Sequence, residues 1–443
     1  MFDRRRYRWT ELWLLLLPTF FLLAGFFELI VVHTLATPVT RNTLPPLDAF
    51  TPAFGLIAAL AGVHILLCII APDADQTLLP IAGMLSSIGV IMSLRLGPDL
   101  SGKQATLGIK QLLWVVLGLA FCIGTVRVTR DLRWLRNFKY TWAAVGIALV
   151  AVTLVRAGSF RTDAPSRDVL SIGPGGFSFQ PSEILKICLV VFFAGYLSEN
   201  REMLASAFYR VGPLKLPPLK HLGPLVAMLG LALLLFVGVR ELGLAILIFG
   251  LFLSLLYVAS NRPMYVVGSL LAFALGAFFL YQLFPYARDR IAIVSTAFDP
   301  GVSQNKGYQL VQGLIALGQG GVFGAGLGLG KPWIVPASNT DFIAASFGEE
   351  FGFAGILALI GLFMLLVYRG LHVAANARDS FNQLLAVGLT AVFALQTLVI
   401  LAGNLKLMPL TGVPLPFVAY GGSSVIANFI IIGLLLRLSQ SDT

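Results

Sequence analysis

The chain has 443 residues; 57% are hydrophobic, only 12% are charged, the mean hydropathy is +0.87 and the formal net charge is +10. A soluble domain carries roughly 25% charged residues, so a water-soluble globule, a disordered chain and a disulfide scaffold are all excluded. The basic residues fall between apolar runs, so their sign reports membrane topology rather than a nucleic-acid partner.

A bilayer-crossing helix takes about 20 mostly apolar residues. In chain order such runs occupy 12–34, 53–71, 77–95, 111–128, 140–155, 183–198, 222–239, 241–259, 264–283, 342–367, 382–402 and 416–437, twelve in all. They are continuous and rich in Leu and Ala, unlike the alternating short strands of a closed barrel. The first run is too long for a cleaved signal and lacks a small-residue cleavage site. Only Arg240 and Glu241 join the seventh and eighth runs, which predicts a tight hairpin or a bent pair. The predicted fold is therefore an all-α polytopic membrane protein of about twelve spans with one large extracytoplasmic loop, 284–341.

Lys and Arg concentrate in cytoplasmic loops. Arg4, Arg5, Arg6 and Arg8 precede the first span, Arg127 to Lys139 separate the fourth and fifth, and Arg201 to Lys220 separate the sixth and seventh. With alternating spans this places both termini in the cytoplasm. Arg288, Arg290, Lys306 and Lys331 then fall on the outer side. There they are either charges that escape the rule in a long loop or a basic surface for an anionic ligand such as a lipid phosphate. Cys68, Cys122 and Cys188 lie in apolar runs without CxxC spacing or a nearby His, and read as packing residues. His33, His64, His221 and His372 are scattered without metal-ligand spacing.

The loop 284–341 contains an apolar period that predicts a short half-buried helix over 308–317, followed by a glycine-packed turn over 318–330. Those glycines match neither a Walker loop nor a dinucleotide fingerprint. Few ionisable residues lie in or beside spans, and each needs a partner or a wet cavity. Glu183 and Lys186, three apart, share a helix face, either as an internal ion pair or as the polar wall of a cavity. Asp341 suits a helix N-terminus. Glu349 and Glu350 diverge by about 100° on a helix, so at least one points inward to a polar partner. Asp299 before Pro300 reads as a turn starter and, on a loop above a membrane cavity, as the best-placed general base.

Six sequence blocks carry a resemblance. They are Phe177-Ser-Phe-Gln180-Pro-Ser-Glu183-Ile-Leu-Lys186, Arg240-Glu-Leu-Gly243, Gly307-Tyr-Gln309-Leu-Val-Gln312, Gly324-Ala-Gly-Leu-Gly328, Thr340-Asp341-Phe-Ile343 with Gly348-Glu349-Glu350-Phe-Gly352, and Pro414-Leu-Pro-Phe417 with Tyr420-Gly-Gly-Ser423-Ser424. In order and spacing they resemble the SEDS family (shape, elongation, division and sporulation; FtsW, RodA and SpoVE) over roughly 75–437. The family core has ten spans, so the resemblance implies an N-terminal extension over 1–74, a core over 75–437 and a short tail over 438–443.

The resemblance also implies a peptidoglycan glycosyltransferase that polymerises lipid II, releases undecaprenyl pyrophosphate, and works with a class B penicillin-binding protein. Asp299 would be the base. Substrate contacts would come from Gln180, Glu183, Lys186, Arg288, Arg290, Lys306, Gln309, Gln312, Lys331, Asp341, Glu349, Glu350 and Ser423. No cofactor is evident, and a divalent cation could share the diphosphate charge. In the family the loop carries an Asp a few residues before Gly-Tyr-Gln. Here Val302 and Ser303 stand there, and Asp299-Pro300 matches an upstream Asn/Asp-Pro. Either a short deletion lets Asp299 act or the usual base is absent. Glu241 likewise replaces an Asp. Two other functions fit the residues: a transporter of lipid-linked precursor and a non-catalytic scaffold for a transpeptidase.

Overall fold

The computed structural model describes residues 7–36, 51–100, 106–156, 170–172, 177–206, 209–211, 214–216 and 219–440. In chain order the elements are α1 (Trp9–Ala36), α2 (Thr51–Ile70), α3 (Leu78–Leu96), α4 (Leu107–Val128), α5 (Arg133–Asn137), α6 (Lys139–Arg156), β1 (Leu170–Ile172) and β2 (Phe177–Phe179). They continue with α7 (Pro181–Glu199), α8 (Arg201–Ser206), β3 (Tyr209–Val211), β4 (Leu214–Leu216), α9 (Leu219–Gly238), α10 (Leu242–Ser260), α11 (Pro263–Leu283) and α12 (Pro285–Thr296). The last are α13 (Tyr308–Gly320), α14 (Ile343–Ala375), α15 (Ser380–Asn404) and α16 (Gly422–Ser439). The strands form two antiparallel hairpins of three-residue strands, which hydropathy did not signal.

Each of the twelve apolar runs forms a helix over most of its length, and the chain is an all-α multi-pass membrane protein. Among the described residues ten helices are long and apolar enough to cross a bilayer, while Lys139–Val155 and Leu222–Gly238 are shorter apolar helices. The last span differs from the sequence expectation: residues 416–421 are turn, and the helix starts at Gly422 because Pro414, Pro416 and the Gly421-Gly422 pair interrupt it. The loop 284–341 holds a second helix, α12, opened by Pro285 at its first position, where the missing N–H costs nothing.

The chain divides into two compact units. One comprises 1–130, 293–369 and 396–440; the other comprises 131–292, 370–395 and 441–443.

In the first unit α4 lies against α16. A Cβ at Gly118 would sit 2.5 Å from the Phe429 ring, and one at Gly433 would sit 2.7 Å from the Cys122 carbonyl; small residues allow such approach between membrane helices. A buried polar network ties α1 and α2 to the start of α3. Arg8 pairs with Glu11 and donates to the carbonyls of Ala71, Ala74 and Asp75 at 2.8, 2.8 and 2.7 Å. His64 Nδ1 lies 2.7 Å from the other Glu11 oxygen, and its Nε2 lies 3.8 Å from Cys68 Sγ. Cys68 therefore does have a histidine beside it: the i, i+4 spacing on α2 stacks the two on one face. Asp75 accepts from Thr77 and pairs with Arg369. Burial pushes its carboxyl pKa up, but these bonds outweigh that and hold it below the usual value.

In the second unit α6 packs on α7, with Gly146 against Leu185 and Gly195 against the Lys139 stem. The α10 helix lies beside α7 through Phe252 and Phe193, 5.7 Å between ring centres, and beside α11 through Phe249 stacked on Phe273 at 4.0 Å. The hairpin at Arg240 and Glu241 is tight. Arg240 takes a left-handed φ of 63°, and the Glu241 amide bonds back to the Phe236 carbonyl at 2.9 Å, closing the end of α9.

Candidate active site

In the first unit the segment after α12, the helix α13 and the start of α14 share one small core. Ala297, Leu310, Val311, Ala316, Val335, Phe342 and Ala345 are buried together, with Leu410 against them. The α13 helix has its apolar positions on one face, as the sequence predicted, and extends three residues further, to Gly320. Gly313 lets it seat directly on α14, because a Cβ there would come within 2.4 Å of the Phe342 ring. That core fixes the positions of Asp299, Gln309, Gln312 and Asp341.

Asp299 lies in the turn that follows α12. Its amide bonds to the Thr296 carbonyl at 3.0 Å, and its own carbonyl accepts from Val302 and Ser303 at 3.1 and 3.0 Å. The residue is exposed. It is therefore both the turn starter and an accessible carboxylate. Gln309 and Asp341 line a cavity of about 30 Å³ together with Asn404, Leu410 and Thr411. Gln309 Nε2 donates to the Pro336 carbonyl at 3.3 Å. Asn404 Nδ2 donates to the carbonyls of Asp341 and Ile400, both at 3.1 Å, tying the end of α15 to the start of α14.

The glycine-rich turn has a definite structural task. α14 breaks at Gly352, where φ is 67° and ψ −169°. In an uninterrupted helix the amides of Phe353 and Ala354 would bond to the carbonyls of Glu349 and Glu350. Instead those amides bond to Gly321 and Val322, at 2.9 and 3.0 Å, and the freed carbonyls accept from Ala325 and Gly326, at 2.9 and 3.0 Å. These two amides and two carbonyls are thus satisfied by the turn. Gly324 permits this at φ 86°; a Cβ there would lie 2.1 Å from the Glu350 carbonyl.

Both Glu349 and Glu350 are buried and point to polar partners. Glu349 Oε1 accepts from the Lys331 amide at 2.7 Å, and Glu350 Oε1 pairs with Arg95 Nε at 2.8 Å. Arg95 also donates to the Gly330 carbonyl at 3.0 Å and sits 5.4 Å from the Trp333 ring centre. These carboxylates therefore anchor the turn. The Lys331 side chain is exposed while its backbone is held; Lys306 is exposed, and Ser423 is half-buried in the first turn of α16.

Gln180, Glu183, Lys186, Arg288 and Arg290 belong to the other unit. Gln180 precedes α7 as its N-cap residue. Glu183 and Lys186 are both buried and form an ion pair at 2.9 Å, and Glu183 Oε1 has no hydrogen-bond partner among the described residues. On α12 Tyr286 donates to the Val237 carbonyl at 3.2 Å and lies under Arg240, 5.9 Å from its ring centre. Burial pushes the Tyr286 hydroxyl pKa up, with Arg290 and Arg240 opposing. Arg288 is exposed and Arg290 half-buried.

Three residues around the first unit's site escaped the sequence reading: Arg95, Asn404 and Lys406. Arg95 was legible as a charge near the end of an apolar run, which demands a partner. Asn404 and Lys406 carry no local pattern. Among the described residues no three or more His, Cys, Asp or Glu side chains come together as a metal site.

The sequence matches the family model FTSW_RODA_SPOVE, described as "Cell cycle protein", over residues 75–443. The chain belongs to this family. Among its FtsW/RodA/SpoVE relatives, peptidoglycan glycosyltransferase RodA of Mycobacterium leprae is 35% identical over 428 residues, covering 95% of this chain and 90% of that one. The probable peptidoglycan glycosyltransferase FtsW of Geobacter metallireducens is 30% identical over 372 residues, covering 82% and 94%. The fold is also that of a chain solved in a peptidoglycan synthase complex that coordinates polymerization and crosslinking, with TM-score 0.64 and 23% identity over 83% of this chain and 97% of that one. Thermus thermophilus RodA gives TM-score 0.58 at 23% identity, covering 83% and 96%.

Proposed function

We infer that this FtsW/RodA/SpoVE-family chain is a peptidoglycan glycosyltransferase that polymerises lipid II at the outer face of the cytoplasmic membrane, with both termini cytoplasmic and twelve helices crossing. Asp299 removes the proton from the acceptor sugar hydroxyl. The freed oxygen attacks the anomeric carbon of the donor, and the bond to the lipid diphosphate breaks, releasing undecaprenyl pyrophosphate. Holding the two lipids in line supplies much of the rate, and fixed positive charge stabilises the departing diphosphate.

The observation that carries this reading is the shared core under α13, which packs the turn bearing an exposed carboxylate together with the small cavity that Gln309 and Asp341 help to line. Lys306 and Lys331, both exposed, are the diphosphate contacts proposed for this unit; Gln312 and Ser423 contact the sugars. The buried Glu183–Lys186 pair, with its unpartnered oxygen, is proposed as a separate polar substrate contact within its own unit, as are Gln180, Arg288 and Arg290. A class B penicillin-binding protein crosslinks the product.

The test is conversion of labelled lipid II by the purified wild type with its transpeptidase. Glycan polymer supports the reading. Lipid translocation in liposomes without polymer assigns transport instead, and binding without either assigns a scaffold. Impermeant labelling of a cysteine placed at Lys306 should occur from outside; labelling only from inside contradicts the topology.

A further inference from the structure

The α15 helix ends at Asn404, and the chain turns through Lys406, which holds a left-handed φ of 61°. The Lys406 amide bonds to the Gly403 carbonyl at 3.2 Å and the Leu407 amide to the Ala402 carbonyl at 2.9 Å. These bonds close the helix and fix where the side chain leaves the backbone. Its ammonium then lies 4.7 Å from the centre of the Phe298 ring. Phe298 directly precedes Asp299, and both residues sit in the turn after α12. No carboxylate among the described residues forms an ion pair with Lys406.

A cation over an aromatic face gains modestly when exposed, and the ring fixes its position without neutralising its charge. A carboxylate partner would have cancelled that charge. Lys406 is thus a cation positioned on the residue that precedes the accessible Asp299, in the same unit. Two residues before it in the chain, Asn404 lines the cavity.

We propose that Lys406 binds a lipid phosphate, specifically the diphosphate of the lipid-linked sugar whose transfer Asp299 promotes. The proposal rests on the glycosyltransferase reading and adds to it a residue that the sequence did not single out. In the transfer, the diphosphate gains negative charge as the anomeric bond breaks, and the ammonium is placed to receive that charge. Phe298 acts through Lys406 as a positioning residue. A mere complement to the end of α15, where cations are also favoured, would affect stability and leave ligand affinity unchanged.

The experiment measures binding of undecaprenyl pyrophosphate to the full chain in nanodiscs, for wild type, Lys406→Met, Lys406→Arg and Phe298→Leu. The bilayers are phosphatidylcholine alone or with increasing phosphatidylglycerol. Lys406→Met is expected to weaken binding about tenfold in phosphatidylcholine, a typical effect for one charge-assisted contact. Lys406→Arg should retain most of the affinity, and Phe298→Leu should fall between. Wild-type binding matched by Lys406→Met overturns the proposal. So does a deficit that appears only as phosphatidylglycerol rises, which assigns the lysine to bulk headgroups. Polymer formation is scored separately: a polymerising wild type with Lys406→Met unimpaired in binding removes the lysine alone, whereas a wild type that neither binds nor polymerises removes the glycosyltransferase reading as well.

Discussion

The exchange of backbone bonds at Gly352 makes a sharp prediction, because the same helix supplies its own control. Gly352 has φ 67° and ψ −169°, a region open essentially to glycine alone, costing other residues about 1–3 kcal/mol. An added Cβ would also lie 2.3 Å from the Gly324 amide nitrogen and 2.5 Å from the Val322 carbonyl oxygen. Both are backbone atoms already hydrogen-bonded, the Val322 carbonyl to the Ala354 amide and the Gly324 amide to the Gly320 carbonyl, so they cannot rotate aside; overpacking of this kind costs a further 1–3 kcal/mol or so. Gly352→Ala should therefore destabilise by about 2–6 kcal/mol on these two grounds. Nine residues on, Gly361 lies within α14 with nothing inside 4 Å of a built Cβ. There Ala replaces Gly in a helix interior and should stabilise by up to about 1 kcal/mol. Thermal unfolding of the two variants in the same detergent, followed by intrinsic tryptophan fluorescence, should move the midpoint in opposite directions. If both variants rise together, α14 is continuous through residue 352 and the account of the glycine-rich turn is wrong.

Other outcomes follow from the same structure. Arg95→Gln leaves Glu350 buried without its cation and should cost about 3–5 kcal/mol in unfolding stability, with Glu350→Gln in the same chain recovering part of it; independent, additive losses would show that the pair is not coupled. Arg8→Gln, which removes the charge that joins Glu11 to three loop carbonyls, should destabilise by a similar few kcal/mol and raise proteolysis between α2 and α3; wild-type stability and protease resistance would refute the role given to that network. The depressed Asp75 pKa means that the contribution of its pair with Arg369 is fully present above the ordinary value of 3.8 and is lost as pH falls below it. Asp75→Asn should then lower stability at neutral pH and shrink the gap to wild type as pH drops through 4, whereas a gap that widens on acidification contradicts the assignment.

The helices were legible because continuous apolar runs leave no other way to satisfy the backbone in lipid. The helix at 308–317 was legible too, since Leu310, Leu314 and Leu317 repeat at a helical spacing. The kink at Gly352 was not. Gly348, Gly352 and Gly355 look alike in sequence, and only the tertiary partner at 321–326 decides which of them breaks the helix. Part of the candidate site was readable in the same way. Asp299 and Asp341 stand out as carboxylates between apolar runs, and Glu349 and Glu350 as charges in one, whereas Gln309 was marked only by the family resemblance. Their partners were not readable: Arg95 lies 255 residues from Glu350 in sequence, and Asn404 lies 63 from Asp341. Lys406 escaped for a different reason. A lysine after a helix end suits the helix terminus and needs no further explanation; its place over Phe298 exists only in the fold.

The most direct test compares polymer formed from labelled lipid II by the wild type and by Asp299→Asn, each purified with the transpeptidase partner and matched for thermal unfolding midpoint. Loss of a general base lowers rate by roughly 10²–10⁴-fold, so the variant should yield no resolvable glycan ladder while the wild type yields one. A ladder of wild-type length and rate from Asp299→Asn would remove the carboxylate from the reaction and contradict the placement of the chemistry on the turn after α12.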